Sequence, residues 1–141
     1  MSLGNEIQII PTSQYHFPEW WRGLESPEAE FSGQWNYEIN SLWYAIHEGV
    51  KAEDRYKVCK DFGLDRFPGI HDLHQLQIKG RDFSRKYFGS GFVLVAWRSV
   101  SWDKEGQLWV PYLCERGGVA VGWLWLGNML HAYHKQLYFR G

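Results

Sequence analysis

Residues 107–126 read QLWVPYLCERGGVAVGWLWL, and this stretch decides the fold. Two runs that are rich in β-branched and aromatic residues, 107–114 and 119–126, flank a short turn at 116–118, which is the pattern of a β-hairpin. Pro111 has no N–H to donate to a neighbouring strand, so we expect its strand at an edge of the sheet or bulged at that residue.

Further strands are predicted on both sides of this hairpin. The run FVLVAW at 92–97 has β-strand composition. The loop 103–106 ends on Gly106, a residue that readily adopts the left-handed conformation of a hairpin loop. Three strands joined this closely form an antiparallel meander, and the run 136–140 adds a fourth strand. We therefore expect one antiparallel sheet of three to four strands within 89–141.

The middle of the chain, 36–88, has apolar side chains at the three- and four-residue spacing of amphipathic helices. A first helix is predicted over 37–50 and a second over 52–62, where a glycine follows the last apolar residue. The pattern predicts a short third helix over 70–77 and another helical turn over 82–88. The first two helices are expected to pack on the sheet.

The start of the chain has a different character. Residues 1–35 place prolines and glycines among isolated aromatic residues, which predicts an extended, loop-rich segment that wraps the rest, with one short strand at 6–10. A chain of 141 residues is the size of one domain. We therefore expect a single globular domain of the α+β class, consisting of this segment, the helical part 36–88 and the sheet 89–141.

Several classes of protein are disfavoured by the sequence. No run approaches the roughly 20 apolar residues that cross a bilayer, and the N-terminus lacks the basic and apolar regions of a signal peptide. Two cysteines, Cys59 and Cys114, are too few for a disulfide framework. The glycine-rich phosphate loops and the common hydrolase motifs are absent. We expect a cytoplasmic protein without a cofactor and without a membrane partner, and we expect it not to be an enzyme.

A metal- or Cys/His-dependent hydrolase is one alternative. His71 with His74 and His131 with His134 form two H-x-x-H pairs, a spacing that places two rings on one side of a helical turn and suits a divalent metal. The pairs lie 60 residues apart and lack the Glu of an H-E-x-x-H motif. We therefore expect that the four rings do not converge. Cys59 lies on the apolar face of its predicted helix, which favours a core thiol over a nucleophile.

A nucleic-acid-binding regulator is a second alternative, based on the region 51–86. This region contains nine Lys or Arg and six Asp or Glu. Its order of helix, Gly63, turn and helix resembles a helix-turn-helix, with the small Cys59 four residues before the glycine. Four basic residues follow that offer contacts to phosphates. They are Lys79, Arg81, Arg85 and Lys86.

Tryptophan is the most informative feature of the composition, because nine of the 141 residues are Trp and 18% are aromatic. Along the strand 119–126, Trp123 and Trp125 point to one face of the sheet. Leu124 and Leu126 point to the other face, so both faces are apolar. A second apolar face predicts that either the N-terminal segment or a partner covers it.

The predicted function is therefore binding. We expect a small non-enzymatic binding or regulatory module that acts through the aromatic face of its sheet, in association with a protein partner or with its own copies; stacking on sugars or unpaired bases is a further use of such residues. Residues 1–48 hold one Arg and seven Glu, whereas the remainder is mildly basic, so two copies have complementary charges. The candidate binding residues are Trp20, Trp21, Trp97, Trp109, Trp123 and Trp125.

Overall fold

The protein has an α+β fold, as the sequence predicts, in a computed structural model of the chain. The residues that the structure describes are 6–8, 15–26, 36–38, 42–46, 49–64, 67–88, 91, 93–115, 118–130 and 134–139. In chain order, the strands are β1 (Glu6–Gln8), β2 (Trp21–Leu24), β3 (Asn36–Glu38), β4 (Leu42–Ile46), β5 (Val93–Val95), β6 (Ser101–Asp103), β7 (Leu108–Glu115), β8 (Val119–Trp125) and β9 (His134–Phe139). The helices are α1 (Ala52–Phe62), α2 (Ile70–Lys79) and α3 (Arg81–Phe88), and a 3₁₀ turn covers Trp97–Ser99.

The main sheet is built around β7. Strand β8 pairs antiparallel with β7 along one edge, and β6 and β5 pair antiparallel with it along the other. The predicted antiparallel meander of the strands at 92–97, 107–114 and 119–126 is therefore confirmed as β5, β7 and β8, and β6 is an additional strand between β5 and β7 in the chain. Beyond them the sheet is larger than predicted, with the order β2-β6-β7-β5-β9-β4, and β9 joins β5 in parallel rather than antiparallel. Strands β1 and β3 form a separate antiparallel pair.

The prediction of a helix over 37–50 is wrong. This part of the chain forms β3 and β4, and all five residues of β4 pair with β9, from Leu42 opposite Phe139 to Ile46 opposite Lys135. The apolar residues of β4 have a spacing that fits a helix, but their aromatic and branched side chains also fit a strand. A long ladder with a distant strand decides between the two, because strand preference depends on such tertiary pairing.

The three predicted helical segments further along the chain are confirmed. Helix α1 ends where Gly63 adopts a φ of 118° and its N–H donates to the carbonyl of Cys59 at 3.0 Å. At the start of α2, the N–H of Gly69 donates to Asp72 Oδ2 at 2.7 Å, and the N–H of Ile70 donates to Ser99 Oγ at 2.8 Å. These contacts satisfy backbone donors that a helix start leaves without partners. In the part of the chain that the structure describes, no helix is long and apolar enough to span a membrane.

Two apolar clusters lie on opposite faces of the sheet. The cluster that includes α1 contains Ala52, Tyr56, Cys59, Leu64, Phe67, Val95, Trp97, Val100, Val110, Leu126 and Leu130. The cluster that includes α2 contains Leu73, Leu76, Leu94, Ala96 and Leu113. Alternate residues of a strand point to opposite faces, and the clusters obey this rule: Val110 of β7 belongs to the first and Leu113 to the second. The first face packs on α1 and the second on α2.

Pro111 does not lie at a sheet edge, which corrects one expectation. Its strand, β7, has neighbours on both sides, and the N–H of Ala96 donates to the carbonyl of Pro111 at 2.9 Å. In an antiparallel strand the N–H and C=O of one residue point to the same edge. The nitrogen of Pro111, which carries no hydrogen, therefore points toward the place where β5 has ended and the 3₁₀ turn Trp97–Ser99 begins. Because the ladder between β5 and β7 has already stopped there, no ladder hydrogen bond is lost.

Candidate functional site

The face of the sheet that packs on α2 is only partly covered by that helix. Leu113 of β7 and Val121 of β8 lie under α2. Further along the same face come Trp109 of β7, directly opposite Trp125 of β8, and then Trp123, which is opposite Pro111. The prediction that Trp123 and Trp125 share a face is confirmed by this register. The part of this face that α2 does not cover thus presents tryptophan side chains.

The N-terminal segment 15–26 lies beside these tryptophans. Its strand β2 pairs antiparallel with β6, with Trp21 opposite Asp103 and Leu24 opposite Ser101. Because β6 is the neighbour of β7, this ladder attaches the segment to the edge of the sheet that carries the tryptophans.

A polar cluster fixes the end of the same segment to α1. The N–H of Glu25 donates to the carbonyl of Val100 at 2.8 Å. The hydroxyl of Tyr56 and the ammonium of Lys60 donate to Glu25 Oε1 at 2.7 and 2.9 Å. Burial raises the pKa of Glu25, but these two hydrogen bonds and the charge of Lys60 outweigh it, so the net pKa is lowered. The segment 15–26 is therefore held at both the sheet and the helix.

Aromatic side chains of this segment contact the tryptophans of the sheet. The ring of Trp20 lies 5.6 Å from that of Trp109 and 5.1 Å from that of Trp123, centroid to centroid. Phe17 stacks on Trp21 at 4.1 Å and lies 6.4 Å from Trp123. The N-terminal segment therefore covers part of the second face within the same chain, which is one of the two arrangements that the sequence left open.

An open cleft of about 440 Å³ remains between this segment and the sheet. We call it the aromatic cleft, and its lining residues are Trp20, Asp103, Lys104, Glu105, Trp109 and Trp123. One wall is the loop between β6 and β7, where the predicted turn at 103–106 is confirmed: Gly106 has a φ of 80° and its N–H donates to the carbonyl of Asp103 at 3.1 Å. Strands β6, β7 and β8, the β6–β7 loop and the turn of the N-terminal segment that carries Trp20 thus meet around one space.

Asp103 connects the loop to the aromatic wall. Its Oδ2 accepts a hydrogen bond from Trp109 Nε1 at 2.8 Å, and its Oδ1 accepts the backbone N–H groups of Glu105 and Gln107 at 2.8 and 2.9 Å. The hydrogen bond from Trp109, together with those from the backbone, lowers the pKa of Asp103. The aromatic cleft therefore has a fixed negative charge beside an indole ring whose orientation is set.

On the inner side of the cleft, Trp123 faces Tyr15. Burial raises the pKa of the Tyr15 hydroxyl, and the neighbouring Trp123 side chain offsets part of this rise. The Nε1 atom of Trp123 is buried away from solvent, so this indole presents ring surface to the cleft and not its N–H. Tyr15, Phe17 and Asp103 are parts of the site that the sequence analysis missed; an Asp at the first position of the predicted hairpin loop was the one visible signal.

The other candidate tryptophans lie outside the cleft. Trp125 is 41% exposed and adjoins it, with its ring packed over Gly127. Trp97 is a correction: it is 0% exposed and packs at 6.3 Å on Tyr56 in the α1 cluster. The continuous run 92–97 predicted a strand with Trp97 on a binding surface, but β5 ends at Val95 and the 3₁₀ turn directs Trp97 inward.

The histidines are not assembled into a metal site in the described structure. Burial, with the charge of Arg98, lowers the pKa of His71 to about 3, so this ring is neutral although Asp72 Oδ2 lies 3.7 Å from its Nε2. His74 is half-buried and packs its ring edge against Tyr15 at 5.7 Å. Among the described residues, no group of three or more His, Cys, Asp and Glu side chains is arranged to hold a metal.

The second H-x-x-H pair lies largely outside the described residues. His131 lies outside the described residues, as do residues 116–117 of the predicted hairpin turn, and His134 is described only by its backbone in β9. The expectation that the four rings do not converge therefore stays a prediction.

The thiol of Cys59 is unsuited to nucleophilic chemistry. The residue is 0% exposed, and burial raises its pKa to about 12 against a smaller opposing effect of Arg55. A thiol with such a pKa is protonated at neutral pH, whereas the thiolate is the nucleophile. Cys59 therefore belongs to the core of the α1 cluster, as the sequence predicts.

The basic candidates form an exposed surface separate from the cleft, at the end of α2 and along α3. They are Lys79, Arg81, Arg85 and Lys86. Arg85 Nε pairs with Glu115 Oε1 at 2.6 Å. The resemblance to a helix-turn-helix is not upheld, because that motif packs its two helices on one another whereas α1 and α2 pack on opposite faces of the sheet.

Comparison with known proteins yields no relative: no protein-family model, no curated protein and no solved structure matches this chain.

Proposed function

We propose that this protein is a small non-enzymatic binding module that associates with another protein through the aromatic cleft and the adjoining Trp125. The observation that carries the proposal is the cleft itself. Three tryptophans, Trp20, Trp109 and Trp123, surround an open space of about 440 Å³ on a sheet face that α2 leaves uncovered. Binding modules present their ligand surface in this way, as a concave apolar site with a few placed polar groups.

Energetics support a role in association. Burying a large apolar side chain stabilises a protein or a complex by roughly 1.5 to 3 kcal/mol. Tryptophans that are half-exposed in the free protein can therefore stabilise a complex when a partner covers them. Tryptophan is also among the residues that contribute most at protein interfaces.

Preorganisation supports the same proposal. Trp109 is fixed by its hydrogen bond to Asp103, and Trp20 is carried by the turn that precedes β2. Side chains that are already ordered lose less conformational entropy on binding, so more of the contact energy appears as affinity.

The charge of the cleft favours a protein over a nucleic acid. Two carboxylates, Asp103 and Glu105, stand beside one ammonium, Lys104, and this surplus of negative charge repels phosphates. Single-stranded nucleic acids bind where aromatic and basic side chains occur together. Here the basic residues of α3 and the aromatic residues of the cleft belong to different surfaces.

The compartment that we propose is the cytoplasm. Neither Cys59 nor Cys114 forms a disulfide, which agrees with a reducing environment.

The test compares single tryptophan variants in association assays. We expect Trp20→Ala and Trp109→Ala to abolish the capture of a partner from cell extract, or the concentration-dependent mass increase of the purified protein in light scattering. Trp102→Ala is the matched control, because Trp102 is also partly exposed, at 39%. It pairs with Leu108, which packs on the α1 cluster, so Trp102 lies on the face of the sheet opposite to the aromatic cleft.

The control variant should retain the association. A protein that stays monomeric at every concentration, and whose captured proteins are unchanged in Trp20→Ala and Trp109→Ala, would show that the cleft is not an association site.

A further inference from the structure

The three indole rings of the aromatic cleft form a corner and not a platform. Trp20 meets Trp123 at 84° and meets Trp109 at 42°. A sugar or a base stacks on one flat, accessible ring. Rings that meet edge to face or at a tilt line a concave corner and not a flat stacking surface, which suits a compact, rounded group.

Two of the three indole N–H groups of the cleft are not available to a ligand. Trp109 Nε1 donates to Asp103, and Trp123 Nε1 is out of reach of solvent. The Oδ1 atom of Asp103 accepts two backbone N–H groups of its own loop. Sugar hydroxyls and the carbonyls of a proline-rich peptide need such atoms as partners, and a buried polar group that finds none is costly.

The cleft nevertheless attracts positive charge. The faces of the indole rings carry the negative part of the ring quadrupole. The charge of Asp103 acts through space although its oxygens are engaged, and Glu105 adds a second carboxylate at the rim against the single ammonium of Lys104. A primary ammonium that enters the cleft loses the water molecules that accepted hydrogen bonds from its N–H groups. A quaternary ammonium has no N–H group and therefore loses no such hydrogen bonds.

We infer that the aromatic cleft binds a quaternary ammonium group, held by Trp20, Trp109 and Trp123 through cation–π contacts and by the charge of Asp103. Aromatic cages of this composition recognise quaternary ammonium ligands in general. The inference rests on the proposed function, because it names the group that the association site takes from its partner. Two sources carry this chemistry: a trimethylated lysine of a protein, which agrees with the proposed function, and a free choline-type molecule.

The experiment titrates the whole protein with two ligands of equal shape and different charge. Choline and its uncharged analogue 3,3-dimethyl-1-butanol are added separately at constant ionic strength, and binding is followed by tryptophan fluorescence and by NMR of the indole N–H signals. We expect saturable binding of choline that is roughly 5- to 30-fold tighter than that of the uncharged analogue, the range of cation–π contacts in a desolvated site.

A second arm identifies the source of the group. Two peptides of one sequence, with trimethylated and with unmodified lysine, are titrated in the same way. Tighter binding of the trimethylated peptide than of choline assigns the group to a protein partner, and the reverse order assigns it to a free molecule. Either result supports the inference.

Variants tie the binding to the cleft. Trp109→Ala is expected to abolish choline binding, Trp109→Phe to weaken it because a phenyl ring keeps a smaller π face, and Trp102→Ala to leave it unchanged. Thermal unfolding establishes that each variant is folded, and Trp20→Ala replaces Trp109→Ala if the latter does not fold.

Two results would overturn the inference: equal affinity for choline and its uncharged analogue, or no saturable binding of choline and the trimethylated peptide. In either case a partner that is captured by the wild type and lost from the Trp20→Ala variant would leave the proposed association site in place. The two conclusions therefore fail separately.

Discussion

A methyl group added at Gly122 tests the register of the central hairpin. Gly122 of β8 lies directly opposite Tyr112 of β7. A Cβ at Gly122 would lie 2.5 Å from Tyr112 Cζ and 2.6 Å from the Tyr112 hydroxyl oxygen, whereas carbon atoms in contact are about 3.5 to 4.0 Å apart. The tyrosine ring must therefore move by roughly 1 Å. It packs against the α1 cluster, so the movement is resisted by the core.

The expected loss follows from these contacts. Overpacking of a core by one methyl group typically costs about 1 to 3 kcal/mol. For a chain of this size, 1 kcal/mol lowers Tm by roughly 3 °C. We expect Gly122→Ala to lower Tm by about 3 to 9 °C in thermal unfolding followed by circular dichroism.

Two other glycines supply controls. A Cβ at Gly118 meets no atom within 4 Å, so Gly118→Ala should leave Tm unchanged or raise it slightly, because alanine has fewer unfolded conformations. A Cβ at Gly127 would lie 2.4 Å from the Trp125 ring, but this ring is 41% exposed and can turn into solvent. Gly127→Ala should therefore have a smaller effect than Gly122→Ala. If Gly122→Ala melted at the temperature of Gly118→Ala, the Tyr112 ring would not cover Gly122, and the register of β7 against β8 would be wrong.

Three further predictions concern buried groups. Trp97→Ala should lower the free energy of unfolding in urea by about 3 to 5 kcal/mol and Trp125→Ala by far less, since only Trp97 fills the core; equal losses would contradict this placement. Cys59 should react with a disulfide reagent at pH 8 only after denaturant is added, and rapid modification of the native protein would show an accessible thiolate. Because burial lowers the pKa of His71 from 6.5 to about 3, the unfolded chain binds a proton that the folded chain does not. Stability is then complete above pH 6.5 and decreases below it by up to about 1.4 kcal/mol per pH unit. His71→Gln should lose less stability than the wild type between pH 7 and pH 5, and equal losses would remove His71 as the cause.

The parts of the fold that the sequence predicted are those with local signals. The alternation of β8, the positive φ of Gly106 and the glycine that ends α1 all depend on residues that are close in the chain. Each signal has a short-range physical cause, such as the absence of a Cβ at a left-handed turn.

The parts that were missed depend on distant partners. The five residues of β4 form a strand because they pair with β9, 89 to 97 positions later in the chain. Strand β2 contains Gly23 and has four residues, too short and too irregular for an alternating pattern to be visible. Its pairing with β6 likewise depends on tertiary structure, and no local sequence preference predicts it.

The same distinction between local and distant causes applies to the candidate site. The shared face of Trp123 and Trp125 followed from strand alternation. The contacts of Trp20 and Phe17 with that face, and the hydrogen bond between Asp103 and Trp109, depend on how β2 and the β6–β7 loop are folded over the sheet. The error at Trp97 has a local cause, since a 3₁₀ turn of three residues is too short to interrupt the apolar pattern of 92–97.

The lengths of α2 and β7 explain why an aromatic cleft exists at this place. Helix α2 has 10 residues and extends about 15 Å, whereas β7 has 8 residues and extends about 26 Å. Even a helix aligned with the strand would leave roughly 11 Å of its face uncovered, about three residues. That interval contains Trp109, and the N-terminal segment 15–26 covers it only in part because its contacts are made by single rings and not by a helix. Trp109 is fixed by its hydrogen bond to Asp103 and Trp123 belongs to the β7–β8 ladder, so these two rings are ordered without a ligand. In the association that we propose, a partner would supply the apolar cover that α2 is too short to provide.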